Sequence, residues 1–288
     1  MTPTPFTTVA ELIERYDVFL VDQFGVLRDS NGLYEGASRA LQTLKAANKV
    51  VVILSNSGKD GDSNARRLVD LGIERASFGH FVTSGDVGLS ILKRPGSPAK
   101  PGGRCLTIAS ADAPCFAELL GMVPTDTGGD ADLVLIAGSK AERISMEEYA
   151  ALLGRAAERD VPCFCTNPDL HKLWNGASVP GAGSIADLYE TLGGHVTRLG
   201  KPFQEIYDYV LQLCGGPEKS RVVCVGDSIE HDILGAWRAG LSSVLVSTGL
   251  AAEQTPEAQA RDMEEIGAWP TYRMTGFSVS GAAMPDDG

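Results

Sequence analysis

The chain has 288 residues, 43% of them apolar and 22% charged, a length and mix that allow one large or two moderate globular domains, each with a full core. Its 25 basic against 37 acidic residues give a formal charge of -12, which opposes binding along a nucleic-acid backbone, where Lys and Arg must displace counterions. No apolar run reaches the length of a membrane span, and Met1-Thr2-Pro3-Thr4-Pro5-Phe6 lacks the basic-then-apolar pattern of an export signal, so a cytoplasmic protein with neither nucleic-acid nor membrane partners is expected.

Strand-like runs alternate with helical patterns along the chain, the signature of βαβ units and a mostly parallel sheet. The first run, Tyr16 to Val21, delivers Asp22 at its end, and apolar residues then recur at helical spacing from Ala37 to Leu44. Val50 to Leu54 predict a second strand. Ser55-Asn56-Ser57-Gly58 reads as the opening of a helix through Ala65, Leu68 and Leu71, which Gly72 can stop. The stretch from Pro95 to Gly103 is dense in turn formers and reads as an exposed loop, after which a different substructure begins. That substructure has three predicted strands, Cys105 to Ile108, Leu133 to Ile136 and Pro162 to Cys165, interleaved with helices such as Met146 to Arg159, enough for a second α/β layer. After Lys201 the first pattern resumes: helix Phe203 to Leu213, strand Val222 to Val225, helix Ile233 to Ala239, strand Val244 to Val246. Gly281 to Gly288 are expected to fray. The cysteines lie mostly within apolar segments and read as small buried hydrophobes of a reducing compartment; Cys163 and Cys165 share one face of a strand, with no further ligands for zinc nearby.

The chemistry-bearing residues stand at strand ends, where α/β sheets bind ligands. Asp22 and Asp227 each follow a β-branched run, Ser55 follows Leu54, and Lys201 sits between Gly200 and Pro202. Two acids, a hydroxyl and a lysine suit a metal and a phosphate. Each also has a plain reading. Asp22 can be a turn residue, Ser55 a helix N-cap, Lys201 a solvated charge, and Asp227 a helix cap, although Gly226 before it suggests a close backbone approach to a ligand. His231 reads as a satisfied loop histidine, and His80, His171 and His195 show no ligand spacing. Asn167 and Asp169 can form an Asx turn. Gly181-Ala182-Gly183-Ser184-Ile185-Ala186 has the G-x-G-x-x-A form of a dinucleotide loop, but Val179-Pro180 breaks the run before it, so no strand is expected there and the context fails.

Asp22 with Gly25-Val26-Leu27, Ser55 in Leu54-Ser55-Asn56-Ser57, Lys201 in Gly200-Lys201-Pro202, and Gly226-Asp227-Ser228-Ile229-Glu230-His231-Asp232 follow one another in an order that resembles the haloacid dehalogenase (HAD) superfamily of aspartate-nucleophile hydrolases. The segment with Thr166-Asn167-Pro168-Asp169 and Pro180 to Ile185 resembles the class IIA cap of NagD-type and para-nitrophenylphosphatase-like members. The resemblance implies a doubly wound, Rossmann-like α/β core over residues 1–86 and 196–288 with an inserted α/β cap over 87–195. It further implies a magnesium-dependent phosphomonoester hydrolase acting on a small phosphorylated metabolite. Asp22 would attack phosphorus and become an aspartyl-phosphate. Mg2+ would be held by Asp22, Asp227 and the backbone carbonyl of Phe24. Ser55, Asn56 and Lys201 would contact the phosphate, Asn167 and Asp169 of the cap would face the substrate, and Asp232 would orient metal waters or Lys201.

One position departs from the family pattern. Phosphatases of this superfamily usually carry a second aspartate two residues after the nucleophile, as proton donor and then base, and here that position is Phe24. A positioned acid or base contributes about 10² to 10⁴ in rate, so hydrolysis is expected to be slow or limited to leaving groups that need little protonation. Two other readings follow from the same residues: a metal-free dehalogenase built on Asp22, and a binder of phosphate ligands whose catalysis is impaired. The phosphoester, the oligomeric state (a homodimer included) and the role of His231 are left open by the sequence.

Overall fold

The computed structural model describes residues 4–110, 115–175 and 177–279; the expected fraying of 281–288 falls outside them. Strands are β1 (Val18–Asp22), β2 (Val50–Ser55), β3 (His80–Thr83), β4 (Arg104–Ile108), β5 (Val123–Thr125) and β6 (Leu133–Ile136). They continue as β7 (Cys163–Cys165), β8 (His171–Trp174), β9 (Ala177–Pro180), β10 (Val196–Arg198), β11 (Val222–Gly226), β12 (Ser242–Val246) and β13 (Tyr272–Met274). The chain divides into two compact units: residues 1–55, 62–82 and 201–288 form one, and 56–61 with 83–200 form the other. The fold is α/β, a Rossmann-like parallel-sheet core with an inserted α/β cap.

The core unit is a six-stranded sheet in the order β13-β12-β11-β1-β2-β3, with β13, β12, β11, β1 and β2 running parallel. β1 is buried along its whole length, as a strand covered by helices on both faces must be, and its residues are apolar up to Asp22. One face packs Phe19, Val21, Ile53, Val223 and Val225 against Leu41 and Leu44 of the helix Ala37–Ala46. The chain leaves β1 toward β2 on one side and reaches β11 on the other, so a switch in strand order falls between β1 and β11, which is where such sheets open a crevice. The register Val21↔Val225 brings the ends of these two strands level.

The cap unit has a five-stranded, all-parallel sheet, β10-β7-β6-β4-β5, and an antiparallel hairpin, β8-β9. Cys163 and Cys165 are buried on one face with Tyr149, Leu153, Ile185 and Tyr189, while Phe164 packs on the other with Leu135, Phe116 and Leu199, the period-2 alternation of a strand.

Three expectations need correction. Ser55 does not open a helix: it is the last residue of β2, and the helix begins only at Gly61. The intervening 56–61 belong to the cap unit, because Gly58 packs directly on the Ala137 carbonyl and the Ser57 carbonyl accepts from the Gly85 amide at 3.1 Å. Second, a strand does precede the G-x-G-x-x-A segment: β9 reaches Pro180, which tolerates it because the strand is an arm of a two-stranded hairpin. It is antiparallel, so it is no βαβ strand of a dinucleotide fold. Third, the cap holds five sheet strands and a hairpin where three strands were expected; β5 and β10 are three residues each, too short to show periodicity.

Candidate active site

At the carboxyl ends of β1 and β11 the core unit gathers Asp22, Asp227, Asp232 and Lys201, all buried. Lys201 Nζ donates to Asp22 Oδ1 at 2.5 Å and to Asp232 Oδ1 at 2.7 Å. One oxygen from each of Asp22, Asp227 and Asp232 lies within 4.8 Å of the others. Asp232 rides on a wide turn, Ile229–Ile233, in which the Ile233 amide bonds back five residues to the Ser228 carbonyl at 3.1 Å; such π-type turns concentrate at functional sites. The Ser228 amide holds Asp232 Oδ2 at 3.1 Å, and Ser228 Oγ caps the turn by accepting from the His231 amide at 3.2 Å. The cap residue is therefore Ser228, not Asp227. Asp227 instead accepts from the Leu250 amide at 2.7 Å.

Glycines make this crowding feasible. Gly25 and Gly249 have φ of +91° and +58°, and a Cβ on either would overlap the Asp227 carboxylate. A Cβ on Gly226 would overlap the Asp232 carboxyl group, so the close approach expected at Gly226 is made by this protein's own side chain and not by a ligand. Thr248 Oγ1 donates to the Gly25 carbonyl at 2.6 Å and ties the two loops together.

The electrostatics follow from burial. Burial pushes the Asp22 carboxyl up to about 7, the Lys201 ammonium pulling it down and Asp232 pushing it up. Burial, then the charges of Asp22 and Asp232, push Asp227 up to about 8. Burial also works against the charge on Lys201, but Asp22 and Asp232 outweigh it and raise its pKa above the ordinary lysine range. Three acids gathered around one ammonium hold on to protons that a divalent cation could replace, so the cluster suits such an ion. The donor set is hard oxygen, as Mg2+ requires. The Phe24 carbonyl, two residues past Asp22, accepts no hydrogen bond among the described residues and could add a further oxygen.

The other candidates fall as follows. Ser55 ends β2, one residue beyond the Asp22↔Leu54 register pair. Asn56 is in the cap unit, where its Nδ2 donates to Asp169 Oδ1 at 2.8 Å. The Asp169 amide donates to Asn167 Oδ1 at 3.2 Å, an Asx turn at the end of β7. Asn167 and Asp169 line a cavity of about 190 Å³ with Lys59, Ser139, His171 and Lys172, within the cap unit. His231 Nδ1 is 3.1 Å from Ser228 Oγ. Sequence reading missed Ser228, Thr248, Gly249 and the Leu250 amide. A Thr-Gly pair closing a β-branched run, like the Gly-Asp pair after β11, was the available signal for three of them.

A Rossmann-like α/β core with a second α/β unit inserted, and a carboxylate–lysine cluster at the core's strand switch, define a capped α/β protein equipped for metal and phosphate chemistry. The model of haloacid dehalogenase-like hydrolases matches residues 19–122 and a second, HAD-hydrolase-like model matches residues 198–271. Chronophin of Rattus norvegicus is 27% identical over 247 residues, covering 84% of this chain and 79% of its own. Among solved structures, a haloacid dehalogenase-like hydrolase of Brucella suis 1330 superposes with a TM-score of 0.74 at 27% identity, over 88% of this chain and 95% of its own. The 4-nitrophenylphosphatase of Thermotoga maritima does so with a TM-score of 0.73 at 25% identity, over 93% and 97%. The chain belongs to the haloacid dehalogenase-like hydrolases, in their class IIA branch. Among the described residues no helix is long and apolar enough to cross a membrane.

Proposed function

We propose that this enzyme, a phosphate-ester hydrolase, cleaves a small phosphomonoester through an aspartyl-phosphate on Asp22 with the help of Mg2+. The observation that carries the reading is the placement of Asp22: its carboxylate stands at the sheet's switch point, with one oxygen bonded to Lys201 and the rest of the acidic cluster beside it. Asp22, Asp227 and the Phe24 carbonyl are the residues assigned to hold the metal, which when bound neutralises phosphate oxygens that would repel an anionic nucleophile. Lys201 fixes the orientation of Asp22 and supplies a positive charge to the phosphate. Asp232 holds Lys201 in place and is itself held by the Ser228 amide. Ser55, at the end of the neighbouring strand, is assigned to a phosphate oxygen. Asn56 acts through Asp169, and Asn167 with Asp169 are assigned to substrate recognition in the cap. The likeness to chronophin and to the 4-nitrophenylphosphatase supports a phosphoester as substrate.

The test is phosphate release over a panel of phosphorylated metabolites, with Mg2+ and with chelator. Mg2+-dependent release that Asp22→Asn abolishes is the expected result. Halide release from haloacids with the metal chelated would support the dehalogenase reading instead, and tight phosphoester binding with no product in a single turnover would make the protein a binder.

A further inference from the structure

Resting on the phosphatase reading above, we infer that this enzyme cleaves phosphate esters whose leaving oxygen departs without a proton, namely aryl, enol or acyl phosphates, in preference to the alkyl phosphates of sugars, glycerol and nucleosides. The argument starts from the loop that follows Asp22. Residue 24 immediately precedes Gly25, whose backbone abuts the Asp227 carboxylate, so it rims the acidic cluster. Its side chain is a phenyl ring, 50% exposed. The Arg28 guanidinium lies over that ring, 5.3 Å from its centre. Arg28 is fixed by Nε and Nη2 donating to the Asp29 carbonyl at 2.9 and 2.8 Å, while its Nη1 has no partner among the described residues.

A phenyl ring has no proton to give, and a guanidinium does not release its own in a protein. The polar groups packed around Asp22 are committed elsewhere. Asp232 accepts from Lys201 and the Ser228 amide, and the Lys201 ammonium is shared between Asp22 and Asp232. Asp227 accepts from the Leu250 amide, and as a metal ligand it would be a carboxylate with no proton to give. The Tyr207 hydroxyl is sealed inside the core unit against Gly235. In the first step a carboxylate oxygen of Asp22 bonds to phosphorus as the bond to the leaving oxygen breaks. The electron pair stays on that oxygen, which departs as an anion. Water then attacks the aspartyl-phosphate, the bond between Asp22 and phosphorus breaks, and the proton of the water passes to the solvent. Phenolates, enolates and carboxylates bear that charge far better than alkoxides, whose conjugate acids are much weaker. The Arg28 guanidinium beside that ring, with an unused donor, also offers a positive charge to an anionic leaving group.

The experiment is kcat/KM, which reports the transfer to Asp22 whichever step limits turnover, for phenyl phosphates of equal size with substituents of graded acidity, and for glycerol and glucose phosphates, all with Mg2+. The wild type is expected to slow steadily as the phenol becomes less acidic and to turn over the alkyl esters about 10² to 10⁴-fold less well, the worth of a missing proton donor. Phe24→Asp, at a solvent-facing position, should flatten the series and raise the alkyl esters most. A flat wild-type series, or alkyl esters within about tenfold of the aryl ones, overturns the inference. A flat series that becomes steep in His231→Gln overturns it too, by assigning the proton to His231. Failure to hydrolyse any ester overturns the phosphatase reading itself and this inference with it.

Discussion

Lys201 and Asp22 form an ion pair inside the core unit, Nζ to Oδ1 2.5 Å, with side chains only 5% and 11% exposed. The same ammonium reaches Asp232 Oδ1 at 2.7 Å. A buried pair of this kind is weak evidence for stability as a pair, but removing one partner strands the other charge, at a cost of about 3–5 kcal/mol. Lys201→Met should therefore destabilise the metal-free protein by about that much in urea titrations. Adding Asp22→Asn to it should recover part of the loss, since one stranded carboxylate is gone. Strictly additive effects would mean that Lys201 and Asp22 are not coupled.

Stability should depend on pH in a way that Mg2+ reverses. Burial raises Asp22 to about 7 and Asp227 to about 8, above the ordinary aspartate value near 3.9 that an unfolded chain shows. Between these limits the folded protein holds more protons than the unfolded one, so the contribution of these groups to stability is present at low pH and is lost as pH rises through about 7 and 8. A cation that replaces those protons favours the folded state, and does so most where the carboxylates are ionised. Thermal melts should show a larger Mg2+-induced rise in Tm at pH 8.5 than at pH 5.5. An equal rise at both would remove Asp22 and Asp227 as the metal's ligands.

Gly25→Ala and Gly249→Ala should each cost more than a left-handed backbone position does by itself. Gly102 is the control: its φ is +78°, but a Cβ there meets nothing within 4 Å. Alanine at Gly102 should cost about 1–2 kcal/mol, the ordinary penalty for a left-handed residue. At Gly25 and Gly249 the methyl also displaces the Asp227 carboxylate, so Mg2+ affinity, measured by calorimetry, should fall as well. Unchanged affinity in both variants would show that Asp227 can move aside without consequence.

How much of this site was legible in the sequence depends on the physics of each piece. Asp22 and Asp227 were readable because apolar β-branched runs ending in a polar residue mark strand ends of a parallel sheet, whereas Lys201 and Asp232 follow no such run and were placed by the family resemblance; the structure brings all four together. Ser55 was misread because Ser-Asn-Ser-Gly before an amphipathic stretch is also what a helix start looks like, and only the packing of Gly58 on Ala137 reveals a connector there. The hairpin β8-β9 escaped because His171 to Trp174 do not alternate, Ala177 to Val179 are too few to show a period, and Pro180 argues against a strand. The contact between Asp227 and the Leu250 amide joins residues 23 apart, and a backbone donor carries no residue-type signature. Close approaches such as Gly226 to Asp232 are visible as glycines in the sequence, but what they make room for is a tertiary fact.

The Tyr207 hydroxyl yields the sharpest sign test. Tyr207 is 1% exposed, on the helix Gln204–Leu213, and its Oη packs on Gly235 with no hydrogen-bond partner among the described residues. A buried polar group without a partner costs about 1–3 kcal/mol, while the ring around it contributes packing that a truncation would lose. Tyr207→Phe keeps the ring and removes the orphaned oxygen, so it should raise stability by about 1 kcal/mol or more. Tyr207→Ala should lower it by about 3–5 kcal/mol, as expected for an aromatic core residue. Urea denaturation of the two variants beside the wild type decides the matter: a Phe variant less stable than the parent would mean that the hydroxyl is bonded in solution, to a buried water or to the carboxylates nearby.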